Sequence, residues 1–177
     1  ITMNKHKLAF SFIGIFIVQL SYAGYFKHIG REEGLSQSSV MAIYQDKLGR
    51  MWFGTREGVN IYNSDRMTVY KAWIQNGNQP DQKVLIGNEV SAITGSQNGD
   101  VFLIVDRALL KYDIRKETFE RLRQGSVYAL TSHAGEIWCA GHDSIFRYNP
   151  QNNQLDFQQK TGIPSINYLM TDGNRFY

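Results

Sequence analysis

Residues 40–63 read VMAIYQDKLGRMWFGTREGVNIYN, and the same pattern of apolar, aromatic and glycine residues returns further along the chain. A second copy lies 50 residues on, where Val90, Ala92 and Phe102 take the places of Val40, Ala42 and Trp52. The third copy has Val127, Ala129 and Trp138 at these positions, and a fourth begins with Ile166 and Leu169. Self-similarity with a period of about 20–50 residues is typical of a repeat fold.

Each copy divides into four short apolar runs that are separated by turn residues. In the first copy the runs are 40–44, 51–54, 59–62 and 67–72, and the later outer runs are 118–123 and 155–160. Asn98-Gly99 predicts a two-residue hairpin turn, which needs positive φ at both positions. Four antiparallel strands in about 36–50 residues make one propeller blade, whereas the strands of a β-sandwich do not repeat in blocks of four. We therefore predict an all-β fold, an incomplete β-propeller with three four-stranded antiparallel blades and the start of a fourth.

The residues that recur have packing roles in such a fold. Small alanines suit innermost strands that crowd around an axis, and large aromatic residues fill the space between neighbouring blades. We assign the second role to Trp52, Phe102 and Trp138, and we expect Trp52→Ala and Trp138→Ala each to lower stability by about 3–5 kcal/mol.

The N-terminus predicts export. Lys5, His6 and Lys7 precede an apolar run over residues 8–20, and small residues at Ser21 and Ala23 mark a cleavage site. The run is short for a membrane span, although an uncleaved anchor is the alternative. We predict a signal peptide over residues 1–23 and a propeller segment over residues 24–177.

Charge argues against a nucleic-acid-binding protein, and cysteine content excludes a fold held by internal disulfides. Without Lys5 and Lys7 the chain carries 17 basic and 16 acidic residues, so the exported part is nearly neutral and has no nucleic-acid footprint. Cys139 is the single cysteine, so no internal disulfide can form.

The first copy resembles a known repeat. The resemblance rests on Gly34-Leu35-Ser36, Val40, Ile43-Tyr44-Gln45-Asp46, Gly49, Trp52-Phe53-Gly54-Thr55, Gly58-Val59 and Tyr62-Asn63. This string is similar to the two-component regulator propeller repeat of bacterial hybrid two-component sensors. The later copies depart from it, with Val105 for the threonine, Ala108 and Ser144 for the second glycine, and Cys139-Ala140 for Phe-Gly.

The resemblance implies a role in sensing. In that family, paired propellers precede an immunoglobulin-like domain, a transmembrane helix and a histidine kinase core, and the propellers detect glycan breakdown products. It therefore implies a periplasmic segment of a homodimeric sensor anchored in the inner membrane, packed against further blades of the same chain. The implied ligand is an oligosaccharide, and the implied output is control of glycan-utilisation genes.

The search for chemistry predicts no catalytic residue, no metal site and no cofactor in this segment. Cys139 and His142 have a spacing that could suit a metal, but Cys139 falls on the packing position of Phe53 and Leu103. No local signature assembles a nucleophile with a base. The alternatives to sensing are a propeller enzyme acting on polysaccharide, such as a lyase or hydrolase, and a protein-interaction scaffold.

By analogy with other propellers, ligands bind at loops between the second and third strands and at loops between blades. The first set contains Arg56, Glu57, Asp106, Arg107, His142 and Asp143, and the loop over residues 73–87 contains Trp73, Asn76 and Asn78. Polar and aromatic side chains of these types can hydrogen-bond to and stack on a sugar. We expect these nine residues to bind the ligand.

Overall fold

The computed structural model describes residues 26–72, 84–85, 87–172 and 174–177, and its regular structure there is entirely β. The strands, in chain order, are β1 (Val40–Gln45), β2 (Met51–Thr55), β3 (Gly58–Asn63), β4 (Arg66–Ala72), β5 (Val84–Leu85), β6 (Val90–Gly95), β7 (Val101–Val105), β8 (Ala108–Asp113), β9 (Thr118–Arg123), β10 (Ala129–His133), β11 (Glu136–Ala140), β12 (Ser144–Asn149) and β13 (Gln154–Lys160). Within these ranges, no helix is long and apolar enough to cross a membrane. The predicted signal peptide lies outside the described residues.

The strands form three separate sheets, in the orders β1-β2-β3-β4-β5, β6-β7-β8-β9 and β10-β11-β12-β13. The first four strands of each sheet pair antiparallel with their neighbours in sequence, which is the predicted blade. The first blade differs from the prediction by one strand. The short β5 pairs parallel with β4, placing Lys71 opposite Val84, because the chain leaves β4 and later rejoins the sheet in the same direction.

The predicted two-residue turn at Asn98-Gly99 is wrong. A longer loop over residues 96–100 joins β6 to β7, and of its residues only Gly99 has positive φ, at 98°. Gly99 N donates to Ser96 O at 3.1 Å, and Ser96 N donates to Asp100 O at 2.9 Å. This is the larger hairpin loop in which a tight turn ends in one left-handed glycine. Only one position therefore needs a glycine.

The blades pack face to face through the recurring aromatic residues. Trp52 of β2 is fully buried and lies edge-on to Tyr112 of the second blade, with ring centroids 5.0 Å apart. Phe102 of β7 likewise packs edge-on to Tyr148 of the third blade, with ring centroids 4.8 Å apart. The predicted role of these residues between blades is confirmed.

Trp138 fills the corresponding position less completely. It lies against Phe176, with ring centroids 4.9 Å apart, and remains partly exposed. Its indole Nε1 is buried without a hydrogen-bond partner among the described residues. We therefore expect Trp138 to stabilise the fold less than Trp52 does.

A buried carboxylate fixes the first blade. Asp46 is 5% exposed, and its Oδ1 accepts hydrogen bonds from Leu48 N at 2.9 Å and Arg50 N at 3.0 Å. Its Oδ2 accepts from Arg50 Nε at 2.7 Å and from Trp52 Nε1 at 2.8 Å. Four donors meet the requirement that a buried charge be hydrogen-bonded. Asp46 thus ties the β1–β2 loop to the aromatic residue at the blade interface.

The fourth repeat begins as a short antiparallel pair. Thr171 bridges Phe176, and Met170 and Tyr177 exchange backbone hydrogen bonds of 3.0 and 2.9 Å. Asp172 accepts bonds of 2.8 Å from the backbone N–H groups of Asn174 and Arg175. Phe176 packs on Trp138 of β11, which places the start of a fourth unit beside the third blade, as predicted.

Candidate functional site

Among the described residues, the loops predicted to bind a ligand lie together along one face of the structure. We call it the upper face and define it by residues 56–57, 106–107 and 141–143 of the turns and 87–89, 124–128 and 161–165 between blades. Backbone hydrogen bonds connect the two sets: Gly58 N to Asn88 O at 2.8 Å, Val127 N to Arg107 O at 3.0 Å and Thr161 N to Asp143 O at 2.7 Å. The turns between the first and second strands and between the third and fourth strands of each blade lie at the opposite ends of the strands, on what we call the lower face.

Asp106 and Arg107 form a two-residue turn in which both residues have positive φ, 47° and 63°. Such a turn matches the twist of a hairpin and normally contains asparagine, aspartate or glycine. Arginine in the left-handed region is disfavoured by about 1–2 kcal/mol. The turn therefore holds Arg107 in an unfavourable backbone conformation at the upper face.

Both oxygens of the Asp106 carboxylate accept hydrogen bonds from backbone N–H groups. Its Oδ2 accepts from Asn88 N at 2.9 Å, and its Oδ1 accepts from Glu89 N at 3.0 Å. These bonds hold the segment between the first and second blades. The geometry gives Asp106 a positioning role, while its predicted contact with a ligand remains a prediction.

An aromatic residue that the sequence prediction missed joins Arg107 to His142. The guanidinium carbon of Arg107 lies 5.5 Å from the ring centre of Tyr128, within range of a cation–π interaction. The ring of His142 stands edge-on to the same tyrosine, with centroids 6.1 Å apart. Tyr128 lies directly before the innermost strand β10, where the first two blades have Met41 and Ser91. That difference between the copies was the available signal.

The third-blade turn is held by local bonds. His142 Nδ1 lies 2.9 Å from Pro164 O, a hydrogen bond in the tautomer that carries the proton there. Asp143 accepts a 2.8 Å bond from Ser144 Oγ and lies 3.5 Å from Lys160 Nζ. The Ser144 hydrogen bond and the Lys160 charge lower the pKa of Asp143, which stays ionised.

The remaining predicted residues divide into two groups. Arg56 and Glu57 are exposed on the upper face, and Glu57 lies 3.5 Å from Lys71 in an ion pair that solvent screens. Trp73, Asn76 and Asn78 lie outside the described residues. The structure thus brings Arg107 and His142 together, and Arg56 and Glu57 lie on the first blade of the same face.

Groups suited to metal or thiol chemistry are not assembled in the described ranges. These ranges contain no group of three or more His, Cys, Asp or Glu side chains placed to hold a metal ion. Cys139 is fully buried, and burial raises the pKa of its thiol to about 12. The thiol therefore stays protonated and unreactive at physiological pH.

A cleft of about 580 Å³ lies on the lower face between the second and third blades. Residues 96–98, 135–137 and 147–151 form its walls. The sequence prediction placed ligand binding on the other face. This cleft was missed because its walls come from three separate turns that only the fold brings together.

Comparison with known proteins agrees with the resemblance given by the sequence. Residues 34–57 match the family model described as two component regulator propeller. The resemblance is therefore confirmed, and the matched segment covers β1, β2 and the turn that follows them. A histidine kinase from Formosa agariphila, Histidine kinase P4, is 39% identical over 64 residues, which cover 36% of this chain and 5% of that protein.

Solved structures share the fold at lower identity. The extracellular domain of a putative hybrid two component system from Bacteroides thetaiotaomicron matches with a TM-score of 0.63 and 23% identity, covering 79% of this chain and 21% of that one. A second such domain from the same organism matches with a TM-score of 0.63 and 15% identity, covering 86% and 24%. The chain thus spans about a quarter or less of the length of these two solved domains and of the histidine kinase.

Proposed function

Because its first blade carries a two-component regulator propeller repeat, we propose that this chain is part of the ligand-sensing propeller of a hybrid two-component sensor. The observation that carries the proposal is the match over residues 34–57, repeated in structure by two further blades of the same topology. The segment has a binding role in this proposal, and catalysis belongs to the kinase part of the parent protein.

The proposal places the propeller in the periplasm and the parent protein in the inner membrane as a homodimer. The basic and then apolar N-terminus supports export, and the two solved neighbours are described as extracellular domains. In this arrangement the propeller meets solutes outside the cell and the kinase responds inside it.

We further propose that the ligand is an oligosaccharide and that the output controls glycan-utilisation genes. The upper face supports this with Tyr128, whose ring has Arg107 on one side and His142 near its edge. An aromatic ring with hydrogen-bonding side chains beside it is a common way to hold a sugar ring.

The test is calorimetry of the full-length protein with a panel of oligosaccharides released from plant and algal polysaccharides. We expect at least one to bind, and Arg107→Ala to weaken that binding by about tenfold, equivalent to about 1.4 kcal/mol. Arg115→Ala is the matched control, because Arg115 is 84% exposed on a lower-face turn and its loss should leave binding unchanged.

Three results would overturn parts of the proposal. Turnover of a polysaccharide by the purified protein would replace sensing with catalysis. A stable protein partner together with no saccharide binding would replace it with a scaffold role. Equal loss of affinity in both arginine variants would remove the upper face from the binding site.

A further inference from the structure

The cleft on the lower face has an apolar floor. Ile137 of β11 is 1% exposed and Tyr148 of β12 is 7% exposed, and both line the cleft. The hydroxyl of Tyr148 already donates to Asn153 Oδ1 at 2.8 Å. Both side chains are almost fully covered by protein, so they close the bottom of the cleft and present little surface to a ligand. Exposed carbon surface comes from Pro150 on the rim, and polar contacts come from its neighbours there.

Two side-chain amides on the rim are available to a ligand. Gln97 and Gln151 are exposed at opposite walls, and neither carboxamide makes a hydrogen bond to another described residue. Asn98 and Asn149 on the same rim differ, since their amides donate to Asp100 Oδ2 at 3.0 Å and Asp156 Oδ2 at 2.9 Å. Each free carboxamide can donate and accept a hydrogen bond at once.

The charges in the cleft cancel. Arg147 Nη1 lies 3.4 Å from Glu136 Oε1, and both side chains line the cleft. An anionic ligand would have to compete with Glu136 for the arginine. A neutral ligand can accept from the guanidinium and donate to the carboxylate without separating the pair.

Contacts between blades hold the walls in place. Gln97 N donates to Gly135 O at 2.9 Å, and Lys47 Nζ of the first blade donates to Gln97 O. The approach is close, because a Cβ added at Gly135 would lie 2.5 Å from the Cβ of Gln97. The cleft is therefore formed before any ligand arrives, which lowers the entropic cost of binding.

We propose that the lower-face cleft is a second binding site that takes a neutral saccharide of one or two rings. Its volume of about 580 Å³ fits a small molecule. Sugar hydroxyls both donate and accept, as the two carboxamides and the ion pair do, and the carbon face of the ring packs on the exposed ring of Pro150. This site lies on the opposite face from the proposed sensing site and goes beyond it.

The experiment titrates the full-length protein with cellobiose, maltose and xylobiose, with digalacturonate as the charged comparison. We expect a neutral disaccharide to bind, and Gln97→Ala and Gln151→Ala each to weaken binding about tenfold. Gln151→Trp, which fills the cleft, should abolish binding. The matched control is Gln158→Ala, an exposed glutamine on the outer strand β13 whose loss should have no effect.

Thermal unfolding of each variant shows whether the fold is retained, as expected for exposed side chains. Binding that survives in Gln97→Ala, Gln151→Ala and Gln151→Trp but is lost in Arg107→Ala would overturn this site and leave the upper-face proposal intact. Binding lost in the cleft variants and kept in Arg107→Ala would support the cleft independently of the upper face. Binding of digalacturonate alone, or of none of these sugars, would overturn the inference.

Discussion

Replacing Trp52 with alanine removes the largest side chain at the interface between the first and second blades. The indole is fully buried against Tyr112, so its loss leaves a cavity and forfeits its transfer free energy, together about 3–5 kcal/mol. Asp46 also loses one of its four hydrogen-bond donors, which adds about 1 kcal/mol. We therefore expect Trp52→Ala to lower the free energy of unfolding by about 4–6 kcal/mol.

Urea titration of the purified full-length protein, followed by circular dichroism, measures this change. The matched control is Trp138→Ala, whose indole is partly exposed and has no hydrogen-bond partner among the described residues. There we expect a loss of about 1–3 kcal/mol, which is less than the sequence alone predicts. Equal losses for the two variants, or less than about 1 kcal/mol for Trp52→Ala, would refute this account of the blade interface.

Arg107→Gly should raise the midpoint of thermal unfolding. Glycine relieves about 1–2 kcal/mol of backbone strain, which exceeds the loss of the contact with Tyr128, worth about 0.5–1 kcal/mol. A lower midpoint would contradict the strain argument. Gly135→Ala should destabilise by more than about 2 kcal/mol in a urea titration, since the new methyl group meets the neighbouring turn. Gly125→Ala, also at positive φ but in open space, should cost only about 1 kcal/mol, and a similar cost for both would disprove the close contact. Cys139 should react with iodoacetamide at pH 8 at least about 100-fold more slowly in the folded protein than in urea. The reason is that burial raises the pKa of its thiol to about 12. Equal rates would show an accessible thiol.

The sequence was sufficient to predict the blades because their pattern is written several times over. Strand β9 has the predicted bounds, and most of the other predicted strands end within one or two residues of the observed ones. Repetition makes each copy a check on the others, and the packing of Trp52 and Phe102 follows from their equivalent places. Local pattern and fold agree for these strands because the contacts that determine them lie within one repeat.

One error concerns a single hairpin loop, and the others concern contacts between segments that are distant in sequence. Asn98-Gly99 is a strong local turn signal, yet the flanking Ser96 and Asp100 pair with each other and impose the longer loop. Tyr128 is marked only by its difference from Met41 and Ser91 of the other copies, and its place beside Arg107 depends on how the second and third blades pack. The lower-face cleft is likewise made by turns from two blades, so no single stretch of sequence predicts it.

The bond between Asp46 and Trp52 bears on how such repeats diverge. Phenylalanine has no side-chain N–H, so a buried aspartate beside it would lose a hydrogen-bond donor. In the second blade, Ser96 takes the place of Asp46 and Phe102 takes the place of Trp52, so both residues of the pair differ from the first blade. A blade can thus lose the polar anchor and keep its topology. The aromatic residue is exchanged as well in the second blade, whereas Trp138 of the third blade is retained without a partner for its N–H among the described residues. The segment that matches the family model, residues 34–57, is the one that contains both Asp46 and Trp52. Three blades of this chain therefore share one topology, while the matched segment lies in the first blade.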